Sequence, residues 1–351
     1  MFFSPNIQNQ LIKDVYSYDI SSAYNSQFIR GNDFPIGKIT LTDNSELSSL
    51  IKENKWFLLV MASEYKIENM PQWITPYEQD EIYYYIIGNY DYKCLQLLGL
   101  KLNSIDKNWK IYRLYNCEET GYLKSKFREE LNSLYNERQA LKRLGNKEEK
   151  IKKQIAEVLY GKGVQSRNFS SNSEISHFYR RTNNYIDAQI SLHALQRTRY
   201  EIILMLSRLN WSYIACDTDS IKTQNPMAAQ IFEERNREIE KENIEAGFET
   251  KIGLWKFEGL YPNFIQYGNK VYAYEHNNKI ECKFAGCLTK ASESFFSNLS
   301  LEEGLKQLQN PNLSIPGGII VKTLQIGEKG FYLKKQTYSY GVRNGIDKEE
   351  I

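Results

Sequence analysis

The chain has 351 residues, 41% hydrophobic and 25% charged, which fits a soluble globular protein whose sizeable core divides into two or three subdomains. No apolar run reaches about 18 residues, so no transmembrane helix is expected, and the opening MFFSPNIQNQ lacks the basic and apolar regions of a signal peptide. Five cysteines without a CxxC pair argue against a disulfide framework or a zinc module and for a reducing cytoplasm, while a net charge of +2 says little about nucleic acid.

Residues 1–13 read as a polar lead-in. Val15–Tyr18 alternates like a strand and is closed by Asp19. Ser21, Ser22 and Ala23 then give a tight turn whose backbone N–H groups can cradle phosphate, and a helix begins at Tyr24. "GNDFPIGKI" (31–39) is a turn leading to a strand. Residues 40–121 read mainly as short strands, because "KWFLLVMASEYKI" and "DEIYYYIIGNYDYKC" are rich in aromatic and β-branched residues. Residues 122–160 predict two helices broken at Gly145-Asn146, with Phe127, Leu131, Leu134, Leu141 and Leu144 at helical spacing. From Lys124 to Arg167 the charge balance is +6, and from Gln224 to Thr250 it is −4, the pattern of a solvated helix face. Between these runs, "GVQSRNFSSNSEISHFYRRT" predicts a polar loop and "AQISLHALQRTRYEIILMLSRL" an amphipathic helix packed under the next strand. That strand is Tyr213–Cys216, and it ends in Asp217-Thr218-Asp219-Ser220. From about Ala291 a small mixed segment closes the chain.

Side chains alternate along a strand, so Asp217 and Asp219 are expected on one face with Thr218 opposite. Two carboxylates so placed repel unless a cation sits between them, and hard divalent ions take oxygen ligands. A paired-metal site draws carboxylates from at least two parts of the chain. Asp19, which closes an earlier strand in the same way, is the partner expected.

"YDISSAY" (18–24) resembles the first signature of family B DNA polymerases, DxxSLYP, and "CDTDSI" (216–221) resembles the third, YGDTDS. "KQIAEVLYGK" (153–162) is an altered form of the second, KxxxNSxYG, and "NKVYAY" carries KxY at Lys270 and Tyr272. "IGLWKFEG" (252–259) and "KFAGCLTK" (283–290) also look like that family's text. Their order over residues 14–290, with Lys153 coming 134 residues after Asp19, resembles the small protein-primed phage branch. The resemblance implies an α+β right-hand polymerase: a palm with an antiparallel sheet (1–39 and 166–289), an inserted β-rich subdomain (40–121), helical-hairpin fingers (122–165) and a small thumb (290–351).

It also implies roles. Asp19 and Asp219 bridge two Mg²⁺ ions, for which Mn²⁺ can substitute; Asp217 is the third carboxylate and the Ile20 carbonyl adds an oxygen. Ser22 and Ala23 face phosphate, Tyr24 excludes a ribose 2′-OH, Lys153 holds the triphosphate, and Lys142 or Arg138 serves as its second ligand or meets DNA. Tyr160 with Gly161 floors the nascent base pair, and Lys270 and Tyr272 grip the primer. Arg199 braces the carboxylates; His177, His193 and His276 receive no role. The partners implied are template and primer DNA and dNTPs, with a terminal protein or a separate exonuclease as further candidates, in the cytoplasm of a bacterial or phage-infected cell.

Two departures matter. Glu157-Val158 replaces the family's Asn-Ser, placing a negative charge near the triphosphate unless it pairs with a lysine. Only 18 residues precede Asp19, so no proofreading exonuclease domain is expected in this chain. The leading expectation is template-directed DNA synthesis. The alternatives are template-independent or protein-hydroxyl nucleotidyl transfer, and a non-catalytic DNA-binding subunit.

Overall fold

The computed structural model describes residues 2–3, 10–68, 70–102, 109–164, 188–268, 271–277, 279–284, 289–296, 298–308, 313–322 and 332–340. In chain order these form β1 (Phe2–Phe3), β2 (Leu11–Ile20), α1 (Ala23–Arg30), β3 (Phe34–Pro35), β4 (Ile39–Thr42), α2 (Leu47–Lys52), β5 (Phe57–Ser63) and β6 (Tyr77–Gln79). Next come β7 (Ile82–Gly88), α3 (Asn89–Leu97), β8 (Lys110–Cys117), β9 (Thr120–Gly121), α4 (Ser125–Arg143), α5 (Glu149–Val164) and α6 (Ala188–Arg208). Then follow β10 (Ala215–Asp217), β11 (Ser220–Thr223), α7 (Ala228–Glu245), β12 (Trp255–Gly268), β13 (Val271–His276) and β14 (Lys279–Phe284). Last are α8 (Thr289–Phe296), α9 (Leu301–Leu308), β15 (Leu313–Lys322) and β16 (Tyr332–Tyr340).

The chain divides into two compact units, each woven from separate stretches of sequence. The first comprises residues 1–19, 212–228 and 257–351. Its centre is a seven-stranded sheet in the order β1-β10-β11-β2-β12-β13-β14, and β15 pairs with β16 as a separate antiparallel ribbon. One apolar cluster, including Val15, Ala215, Phe264, Tyr272 and Tyr274, packs beside the middle strands. A second, including Ile265, Ala273, Cys282, Phe296 and Leu301, closes the β13–β14 side.

The second unit comprises residues 20–211 and 229–256. It holds a five-stranded antiparallel sheet, β4-β8-β5-β7-β6, whose covered face carries Phe57, Leu59, Met61, Tyr85, Ile87 and Leu114. The sequence predicts strands across 40–121, but "NYDYKCLQL" is the helix α3. The cause is local: Asp91 accepts the Gly88 N–H and so caps the first turn, which stops the strand at Gly88. Helices α4 and α5 form the expected hairpin with its break near Gly145, where φ is +64°.

Around α6 the second unit buries charge in pairs. Glu201 accepts two hydrogen bonds from Arg235, at 2.8 and 2.7 Å, one from Arg30 at 3.3 Å and one from the Trp255 indole at 3.1 Å. Arg199 donates to Asp91 at 2.6 Å; its carboxylate is Asp91, not the trio expected from the sequence. Among the described residues no helix is long and apolar enough to cross a membrane.

Candidate active site

Asp19 is the penultimate residue of β2, and Ser220 of β11 lies directly opposite it. Ser220 also lies opposite Asp217, the last residue of β10. Directly opposed residues on neighbouring strands share a face, so Asp217, Ser220 and Asp19 form one row across three strands. Lys222, two residues beyond Ser220, joins the same face opposite Ser17 and Ala215.

Asp219 arrives differently from the expectation. Strand alternation does not carry it, because β10 ends at Asp217 and Thr218-Asp219 is the two-residue turn into β11. The Asp219 N–H donates to the Asp217 carbonyl at 2.6 Å, the Thr218 hydroxyl donates to the Asp217 carboxylate at 3.2 Å, and Thr218 takes φ +55°. A β-branched residue is rare at positive φ, and such strain collects at functional sites. The tight turn brings Asp219 close enough for its charge to act on Asp19.

Electrostatics tie these groups together. Burial raises the Asp19 carboxyl to about 7, and Asp219 and Glu258 push it the same way, while Lys222 and Lys283 pull against the shift. Burial lowers the Lys222 amine, with Lys283 adding to the effect and Asp217 and Asp19 opposing it. Burial raises the Tyr272 phenol, reinforced by Asp217, Tyr261 and Asp19. The Lys222 amine lies 5.0 Å from the centre of the Tyr272 ring, and Tyr272 stands opposite Lys283 on β14.

Glu258, Lys222 and Lys283 receive no role from the sequence. The stretches "WKFEG" and "KFAG" stand out in it, but only strand pairing reveals what their charged residues face. Lys270, expected to grip the primer, lies outside the described residues.

The donor set suits a hard divalent cation. It consists of carboxylate oxygens, and Asp19 is held partly protonated near neutrality by burial and by its carboxylate neighbours, a repulsion that a cation relieves. Among the described residues no three His, Cys, Asp or Glu side chains gather closely enough to hold a metal ion by themselves.

The expected nucleotide residues lie in the second unit. The chain turns at Ser21-Ser22 between β2 and α1, with Ser22 at φ +56°. Ser21 exchanges backbone hydrogen bonds with the 253–254 segment: its N–H donates to Leu254 at 3.0 Å, and its carbonyl accepts from Gly253 at 2.8 Å. Ala23 is buried and Tyr24 half-buried at the start of α1. Arg138 on α4 reaches the Ser22 hydroxyl at 3.4 Å and Glu149 on α5 at 3.3 Å, tying the hairpin to the turn. Lys142 is exposed at the end of α4. Lys153 pairs with Glu157 at 3.4 Å, one helical turn away, so the substituted glutamate is matched by a lysine. Tyr160 and Gly161 continue the α5 backbone.

No protein-family model matches the sequence and no curated protein matches it. Solved structures of phi29 DNA polymerase do match in fold. The ternary complex with primer-template DNA and incoming nucleotide substrates aligns at a TM-score of 0.59 and 13% identity, covering 97% of this chain and 60% of that one. The binary complex with primer-template DNA aligns at 0.57 and 13%, covering 96% and 60%. The orthorhombic crystal form aligns at 0.55 and 13%, covering 97% and 60%. The chain thus spans about 60% of the length of the polymerase chains it matches, and over that length it has a DNA-polymerase-like fold.

Proposed function

We propose that this chain carries the nucleotidyl-transfer centre of a template-directed DNA polymerase, adding dNMP from dNTP to a primer 3′-OH. One observation carries the reading. Carboxylates 200 residues apart, Asp19 and Asp219, act on each other at one end of a sheet in a chain that shares its fold with polymerases solved on primer-template DNA.

In this reading Asp19, Asp219 and Asp217 hold two Mg²⁺ ions, with the Ile20 carbonyl as a further donor. Metal held by these residues would supply Lewis-acid chemistry, lowering the pKa of the attacking hydroxyl and neutralising charge at the α-phosphate and the departing pyrophosphate. The residues of the chain bind and orient. Lys153 and Lys142 hold the triphosphate, Arg138 fixes the Ser22 turn, and the N–H groups of 22 and 23 face phosphate. Tyr24 excludes a 2′-OH, and Tyr160 with Gly161 supports the new base pair. Lys270 and Tyr272 hold the primer end.

The test is extension of a labelled primer by purified protein with Mg²⁺ and dNTPs, with and without template. Template-copying extension that drops at least about a thousandfold in Asp219→Ala, with an unchanged circular dichroism spectrum, supports the proposal. Extension without template indicates a terminal transferase instead. DNA binding with no extension, equal in wild type and Asp219→Ala, indicates a binding subunit.

A further inference from the structure

Lys222 belongs to none of the expected roles, yet its amine is built into the carboxylate face. It shares that face with Asp19, Asp217 and Ser220 through the register of β10, β11 and β2. It is 5% exposed, in the middle of a sheet, with its amine 5.0 Å from the centre of the Tyr272 ring. A lysine is almost never this buried without a compensating charge. The charged or titratable groups acting on it are Asp217 and Asp19, which favour its ammonium, the opposing Lys283, and the Cys216 thiol behind the strand. Its partners in charge are therefore the same carboxylates that the proposed function assigns to metal.

We infer that Lys222 is a tethered counter-charge of this site: its ammonium offsets Asp19 and Asp217 in the metal-free protein and opposes a divalent cation bound there. The inference rests on the proposed metal site and deepens it. In the metal-free state Asp19 and Asp217 share the face with Lys222, while Asp219 and Glu258 add negative charge that acts on Asp19 and Lys283 opposes it, so one buried ammonium moderates the carboxylates. A cation that enters must share the carboxylates with that ammonium. A single positive charge within several ångströms of a divalent ion, in a partly hydrated site, shifts its affinity by roughly tenfold. The consequence is a site tuned to fill weakly on its own and fully only when a triphosphate adds its negative charge. That tuning makes Lys222 a positioning residue; it need not touch the reacting atoms.

The test measures Mn²⁺ binding directly, by electron paramagnetic resonance of the free ion, on the full chain without nucleotide or DNA. Wild type is compared with Lys222→Met, Lys222→Gln, Lys222→Arg and Asp219→Ala. The expected result is roughly tenfold tighter Mn²⁺ binding in Lys222→Met and Lys222→Gln, wild-type affinity in Lys222→Arg, and lost binding in Asp219→Ala. Unchanged or weaker binding in both uncharged variants, with binding still lost in Asp219→Ala, overturns the inference and leaves the metal reading standing. Wild type that binds no Mn²⁺, or Asp219→Ala that binds as well as wild type, overturns both. Uncharged variants that fold only when Mn²⁺ is present support the inference, since the ion then replaces the missing charge. Variants that fail to fold with or without Mn²⁺ overturn it, because Lys222 is then a packing residue.

Discussion

Asp19 is held by burial, Asp219 and Glu258 in a setting that disfavours its charge, with its carboxyl at about 7 against 3.8 in an open chain. The linkage runs opposite to that of a salt-bridged aspartate. Asp19 contributes most to stability below pH 3.8, and that contribution is lost as pH rises toward 7, where the folded protein must carry the disfavoured anion. Asp19→Asn in metal-free protein at pH 8 is therefore expected to raise the thermal midpoint by a few degrees while abolishing extension. A midpoint that falls would contradict the like-charge picture. Added Mg²⁺ should raise the wild-type midpoint and leave that of Asp19→Asn nearly unchanged, a comparison readable by scanning calorimetry. At this scale the sequence was legible where a residue type has a narrow range of uses. Strand-end aspartates stand out because charge at the end of an apolar run is costly without a purpose. Glu258 and Lys222 were not legible, because what they face is decided by strands far away in the chain.

The elements that shape the site depend on a few backbone positions. Gly253 takes φ +81°, and a Cβ there would lie 2.7 Å from the Ser26 Cβ and 2.9 Å from Arg30 Nη1, while its own N–H holds the Ser21 carbonyl. Gly145 takes φ +64° with open space around it. Gly253→Ala should then cost about 3 kcal/mol or more, from backbone strain and a clash with a packed helix, and Gly145→Ala only about 1 kcal/mol from strain. Urea titrations of the two variants check the contrast; equal losses would show that the 253 segment can yield. Period and breakers made the α4–α5 hairpin readable from sequence. The same signals failed at α3, where Tyr90 and Tyr92 suggested a strand but the Asp91 cap decided the outcome. They failed again at Thr218-Asp219, where a two-residue turn replaced the alternation on which the shared-face expectation rested.

At the scale of the whole molecule, stability depends on buried charge held in pairs. Burial pushes the Glu201 carboxyl up, but Arg235 and Arg30 together hold it down at about 2, with the side chain 4% exposed. Its contribution is present above pH 4.5 and lost as pH falls toward 2. Glu201→Gln should destabilise by about 3–5 kcal/mol, because it leaves the Arg235 and Arg30 guanidinium charges buried without their counter-charge. Chemical denaturation at pH 7 measures this directly, and the loss relative to wild type should shrink as pH approaches 2. The order of synthesis adds a further consequence of the way the central sheet is woven. Strand β2 leaves the ribosome well before its neighbours β11 and β12, and Ser220, which pairs with Asp19, is made 201 residues later. Throughout that interval the strand has both edges bare, the condition that invites wrong pairing between nascent chains. Production of soluble protein should therefore respond more to slower synthesis and to chaperones that shelter residues 11–20 than to any change within the finished core.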